Sequence, residues 1–210
     1  MKLGRITIHT PGECPDFSGV SYAKGHLLIR GGVGQDGLAT IPLIDLGDLI
    51  EMKYPSSIKA PLVPRRIVAR HLTHVSELHI GQGVPQAVCQ LDFPALTNLK
   101  HGTFYLQQLS LPSLREVETL TVHVSDRLHL ELPQLVKGKV NIVLSKPNID
   151  TRLVKIVAPR LRTQLEIGTS DPRAFDKKRL DAARRRIIRQ FKDPAFHEML
   201  LARMADTKSE

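Results

Sequence analysis

Between residues 91 and 161 one hexapeptide pattern recurs four times, as "LDFPAL" (91–96), "LSLPSL" (109–114), "LELPQL" (130–135) and "IVAPRL" (156–161). Each copy has apolar residues at its first, third and sixth positions and proline at its fourth. "IKAPLV" (58–63) is a weaker fifth copy. After each comes a second alternating run: "TFYL", "LTVHV", "KVNIVL" and "QLEI" follow the four, and "VSELHI" (75–80) completes the coil that Pro61 would open. Alternate residues of a strand point to one face. Leu91 and Phe93, Leu109 and Leu111, and Leu130 and Leu132 therefore project into a common interior. Proline ends strand pairing and turns the chain at the same height in every coil. No single repeat can bury its own apolar face, but stacked coils bury a continuous column. Pro94, Pro112, Pro133 and Pro159 lie 18, 21 and 26 residues apart, so the loops lengthen toward the C-terminus.

The pattern "LxLPxL…(V)xxLxI" resembles proline-bearing leucine-rich repeats of the bacterial surface-antigen type and the related receptor L domain, over roughly residues 58–167. The resemblance implies a solenoid that presents an extended face to another macromolecule rather than a catalyst. A flatter β-solenoid or a β-sandwich would satisfy the same alternation. The residues between the inward positions form outward columns, which include His79, Tyr105, Thr121, His123, Asn141 and Glu166. Tyrosine and histidine on an exposed sheet can anchor a partner.

Upstream, "GGVGQDG" (31–37) follows the apolar run "HLLIR" and carries glycines 32, 34 and 37. A dinucleotide site would need a helix opening at its end. The following "LATIPLIDLGDLIEM" instead holds Pro42 and Gly47, and no Gly-Lys-Ser/Thr follows. The stretch reads as a bend that reverses the chain between two short strands. The order strand, glycine turn, "TIPL", "DLxxIE" resembles part of small bacterial pleckstrin-homology-like β modules. The expected architecture is mainly β: an N-terminal β module (1–57), a leucine-rich-repeat-like solenoid (58–168) and basic C-terminal helices (169–210) that cap it.

Charge is unevenly placed. Residues 1–136 hold twelve basic and twelve acidic residues, whereas residues 137–192 hold sixteen Lys/Arg against five Asp/Glu. Asp171 before Pro172 and Asp193 before Pro194 signal helix starts. The first helix spans about 172–191, with Leu180, Ala183, Ile187 and Phe191 as its docking stripe, and the second spans about 194–205. The basic candidates are Lys137, Lys139, Arg160 and Arg162 on the last coils and Lys178, Arg184, Arg185, Arg186 and Arg189 on the first helix. Together with His79, Tyr105, His123 and Asn141 they form the expected partner-binding set.

An acidic protein surface is the favoured partner, which makes the chain a non-enzymatic adaptor, inhibitor or effector. Phosphate backbones read by residues 137–192 are the alternative, although no aromatic platform for single strands accompanies the arginines. A metal-dependent enzyme built on His71, His74, His79 and Glu77 is the third reading, without an HExxH motif to support it. Cys89 has no local nucleophile signature, and no cofactor is implied. Two distant cysteines suggest a reducing compartment. With neither a signal-type nor a membrane-length apolar run, the expectation is a cytoplasmic protein without membrane insertion, though an exported effector would look the same.

Overall fold

The alternating runs form one long parallel ladder. In a computed structural model, which describes residues 2–9, 13–30, 41–62, 64–81, 89–146, 149–160, 165–171, 173 and 176–192, the chain winds into a β-solenoid of about six turns. One side is an eight-stranded parallel sheet of β1 (Lys2–Ile8), β2 (Tyr22–Arg30), β4 (Glu51–Leu62), β6 (His74–Ile80), β8 (Asn98–Phe104), β10 (Glu116–Val124), β12 (Lys137–Leu144) and β14 (Leu165–Thr169), in that spatial order. The opposite side consists of two short parallel sheets. One holds β3 (Leu43–Asp45), β5 (Arg66–Val68) and β7 (Gln90–Asp92); the other holds β9 (Gln108–Ser110), β11 (Leu128–Glu131) and β13 (Val154–Val157). β1, β2 and β4 thus pair in the same long sheet as the even-numbered strands that follow, and β3 pairs with β5 and β7 in a short one.

Strict alternation lines up the interior. Ala60, Ile80, Phe104, Val122, Ile142 and Ile167 are neighbours in register on six successive long strands, and all are buried. Leu109, Leu111, Leu130 and Leu132 face them from the short side, also buried. Each such side chain contributes roughly 1.5–3 kcal/mol on leaving water, and the shared column is what holds neighbouring windings together.

The proline corner is real and extends further than its prolines. The N–H groups of Leu96, Leu114 and Leu135 donate to the carbonyls of Phe93, Leu111 and Leu132, closing a four-residue turn with proline second. The same turn closes from Val20 to Phe17, Leu49 to Leu46 and Leu72 to Ala69, with Ser18, Gly47 and Arg70 in the proline's place. Successive corners touch: Ser113 Oγ donates to the Pro94 carbonyl, and Arg160 donates to Gln134 Oε1 at 2.6 Å. Proline suits the second position of a turn because its φ is preset, but the closing bond does not need it, and Gly47 makes the same bond with φ +51°, a backbone of the opposite hand. The weaker copy "IKAPLV" is therefore misplaced. Pro61 lies inside β4, and the corner of that winding is Ala69–Leu72.

Two other expectations change. "HLLIR" lies in β2 and "TIPL" leads into β3, but these strands belong to different sheets, so they are no reversing pair; residues 31–40 themselves lie outside the described residues. The helix, α1, runs Lys177–Lys192 rather than from 172. Asp176 is its cap, its Oδ1 accepting from the Lys178 N–H at 2.7 Å and its carbonyl from Leu180 N–H. Asp171 instead accepts from the Arg173 N–H two residues on. Both aspartates do the same local chemistry, and the second opens α1. The proposed second helix, about 194–205, lies outside the described residues.

The docking stripe stands as expected. Ile187 is 1% exposed in the common core, with Leu180, Ala183, Ile188 and Phe191 packed against it. The helix rests on β13 and the 3-10 turn Thr151–Leu153 that precedes it. Arg184 Nε donates to the Ile167 carbonyl of β14 at 2.8 Å. Thus α1 engages both terminal strands of the last winding.

Candidate functional site

The long sheet presents an ordered polar face. Lys59, His79, Thr103, Thr121, Asn141 and Glu166 stand side by side in register. In the next row Tyr105 and His123 stack, ring centroids 4.0 Å apart and planes 5° from parallel. His79, Tyr105, His123 and Asn141 therefore share one face, as the alternation requires. Three lysines of this sheet are paired with glutamates from an adjoining strand, Lys59 with Glu77 at 3.6 Å, Lys100 with Glu118 at 3.9 Å and Lys139 with Glu166 at 2.9 Å, whereas exposed Lys24 and Lys137 have no carboxylate within ion-pair distance among the described residues.

Burial holds the His123 imidazole below its ordinary value of 6.5. Burial, then the Lys59 charge, does the same to His79, against a smaller opposing pull from Glu77. An imidazole whose folded pKa is depressed is protonated first in the unfolded chain. Stability is therefore complete above about pH 6.5 and declines as pH falls through the folded-state values. The melting temperature should drop between about pH 7 and pH 5, and His123→Gln should flatten part of that drop. An identical pH profile in the variant would contradict this account.

The basic candidates do not form one set. Lys137 and Lys139 open β12 on the long sheet, where Lys139 is paired. Arg160 sits at the proline corner, bonded to Gln134. Arg162 lies outside the described residues. Arg184 fastens the helix to Ile167 and approaches Asp181 at 3.5 Å, so it is partly structural. Lys178, Arg185, Arg186 and Arg189 are exposed on α1, and Lys177 and Lys192 extend the same charge. None of these six has a carboxylate within ion-pair distance among the described residues. Arg186 lies near enough to Asp150 to help hold its carboxyl below the usual range, mainly a consequence of hydrogen bonds from Arg152. Arg152 itself is bound to Asp150, Nη2 to Oδ2 at 2.9 Å.

A feature absent from the sequence reading lies on the short side. Where β7 and β9 face each other the two three-stranded sheets separate, at the winding whose corner prolines are closest in sequence. There a cleft of about 760 Å³ crosses four windings. Its walls carry Gln90 from β7, Gln107 and Gln108 at the start of β9, Arg127 before β11, and Lys155 from β13. Leu91, expected inward, is only half-buried because it stands at this separation. Behind the wall, buried Glu131 accepts from Ser110 Oγ at 2.9 Å and lies 3.2 Å from His129 Nε2. The one sequence signal for this cleft is a polar residue just ahead of each inward leucine, which is also what a solvated strand shows.

The histidines considered for a metal do not converge. His71 is on a turn, His74 bonds the Thr73 hydroxyl at 2.7 Å, and His79 faces Glu77 at 3.5 Å. No group of three or more ligating side chains that could hold a metal occurs among the described residues. Burial pushes the Cys89 thiol up to about 12, far from a nucleophilic thiolate. Nor is any helix among the described residues long and apolar enough to cross a membrane. No protein-family model matches the chain, and neither a curated protein nor a solved structure matches it.

Proposed function

We propose that the chain is a non-enzymatic recognition scaffold whose C-terminal end docks on an acidic protein surface. The observation that carries this reading is the contrast in charge compensation. On the long sheet three lysines meet glutamates of an adjoining strand and Lys24 and Lys137 stand singly on separate strands, whereas Lys177, Lys178, Arg185, Arg189 and Lys192 crowd one exposed helix with no carboxylate within ion-pair distance among the described residues, and Arg186 beside them acts on Asp150 only at longer range. Uncompensated cations on a rigid helix attract an acidic partner and speed encounter. The Tyr105–His123 pair and the polar columns of the long sheet offer further contacts. The surface is a compact patch, since a 16-residue helix spans only about 24 Å.

The test is capture from lysate, with the bound proteins identified, using wild type and Arg185→Glu/Arg186→Glu/Arg189→Glu. Arg184 is left intact because it anchors the helix. Acidic proteins retained by wild type should bind the variant about tenfold or more weakly, and raising salt should release them. Retention that ignores both changes would remove α1 from the interface. A duplex DNA shift that is steep in salt and abolished in the variant would assign the same cations to phosphate instead.

A further inference from the structure

We infer that the cleft between the short sheets is a second binding site, one that holds an extended acidic peptide segment carrying an apolar anchor. It is a different surface from the exposed cationic face of α1, although the helix packs on the elements at the β13 end of the cleft, and the site does not rest on the α1 reading.

The shape comes first. The cleft crosses β7, β9, β11 and β13. The hydrogen-bonded strands β9, β11 and β13 give two spacings of about 4.8 Å, and the wider unpaired step to β7 adds more than a third, so the cleft takes at least four residues of extended chain. Its polar lining comes second. Gln90, Gln107 and Gln108 bring side-chain amides to the walls. An amide both donates and accepts, as a peptide group does, so a row of glutamines suits a backbone that must exchange bonds with water for bonds with protein.

Charge selects the side chains of the occupant. Arg127 spends its Nε on Gln107 Oε1 at 2.7 Å, and neither its terminal nitrogens nor Lys155 meets a carboxylate within ion-pair distance among the described residues. Glu131, the acid on β11, is engaged by Ser110 and His129. One guanidinium and one ammonium group, with no carboxylate among the described lining residues, fit an anionic ligand.

The apolar part distinguishes a peptide from an acidic sugar. Leu153, 47% exposed, and half-buried Leu91 line opposite ends of the cleft, by β13 and on β7. A leucine-like side chain near either end of the segment would cover one of them. A uronate polymer would use the cations and amides but bring no aliphatic side chain to these leucines, and among the described residues no aromatic ring lines the cleft to stack on a sugar face.

The experiment uses the full chain and fluorescein-labelled octapeptides with three glutamates and two leucines in systematically varied positions. Peptides with glutamine for glutamate and an oligogalacturonate are the comparison probes. Affinity is read by fluorescence polarisation. At least one glutamate peptide should bind, its glutamine counterpart should not, and Arg127→Glu/Lys155→Glu should weaken it about tenfold or more. Arg127→Gln/Lys155→Gln, which adds no repulsion, should weaken it by a smaller factor, and the triple α1 variant should leave it unchanged. The site is overturned if no octapeptide binds or if the glutamine series binds equally well. It is also overturned if the cleft variants change nothing or the oligogalacturonate binds more tightly than every peptide.

Discussion

Alanine at Gly138 is expected to lower the melting temperature by about 10 °C or more, while alanine at Gly168, on the adjacent strand of the same sheet, changes it little. Gly138 has φ +143° and sits in β12 at a bulge: Glu116 pairs with Lys137 and Thr119 with Lys139, so two residues of β10 oppose this one glycine. A Cβ built there would lie 2.0 Å from the Val117 carbonyl oxygen, which is backbone and cannot swing aside. Backbone strain and the clash each cost roughly 1–3 kcal/mol, and relief requires the β10–β12 ladder to open. At Gly168 a Cβ meets nothing within 4 Å. Gly102→Ala should fall between them. Its Cβ would come 2.8–2.9 Å from Leu99, Phe104 and Leu120 side-chain atoms, whose flexible ends can yield. Thermal melts of the three variants give the ranking directly. A Gly138→Ala variant as stable as Gly168→Ala would mean that the bulge is not held as described.

The inward column and the long sheet were legible in the sequence because their signal is a repeat of one residue type with period two. Leu109, Leu111, Leu130 and Leu132 could be placed before any coordinates. The corner was legible only where proline marks it. Gly47 and Arg70 occupy the same turn position without advertising it, so the first windings looked like a separate module and Pro61 drew attention to the wrong place. Helix α1 was found by its apolar stripe, but its start was misread because Asp171 and Asp176 are the same residue type making the same kind of bond to the backbone two residues on. The cleft was invisible for another reason. Gln108, His129 and Lys155 come from windings of unequal length, and only the ladder register brings these polar residues of no fixed identity into one row, which Gln90 joins from the other short sheet. The sheet-face pairs Lys59–Glu77 and Lys139–Glu166 likewise depend on register, which is why a tally of charge along the chain overstated how much of residues 137–192 is uncompensated.

That distinction between charge and placement leads to the second large effect. Ile187→Asp should detach α1 from the last winding while leaving every cation of the helix in the chain. Ile187 is 1% exposed and belongs to the common core. A carboxylate there has no described cation to pair with in the core, and an uncompensated buried charge costs on the order of 3–5 kcal/mol, more than a 16-residue helix recovers from its own backbone bonds. With the helix lifted, β13 loses its cover and Ile167 its Arg184 donor. The terminal strands then become open edges, the configuration that invites association between chains. Stability in stacked windings is local. Amide exchange should therefore accelerate in residues 154–169 and in α1, while β4, β6 and β8 keep their protection; light scattering should show concentration-dependent association. Binding of an acidic partner should fall as far as in the Arg185→Glu/Arg186→Glu/Arg189→Glu variant, although no charge of the patch has been removed. If exchange stays unchanged in residues 154–169, α1 is not the cap of the solenoid. If the end opens but partner binding survives intact, the helix acts as a flexible polycation, and its rigid placement on the last coil has no part in recognition.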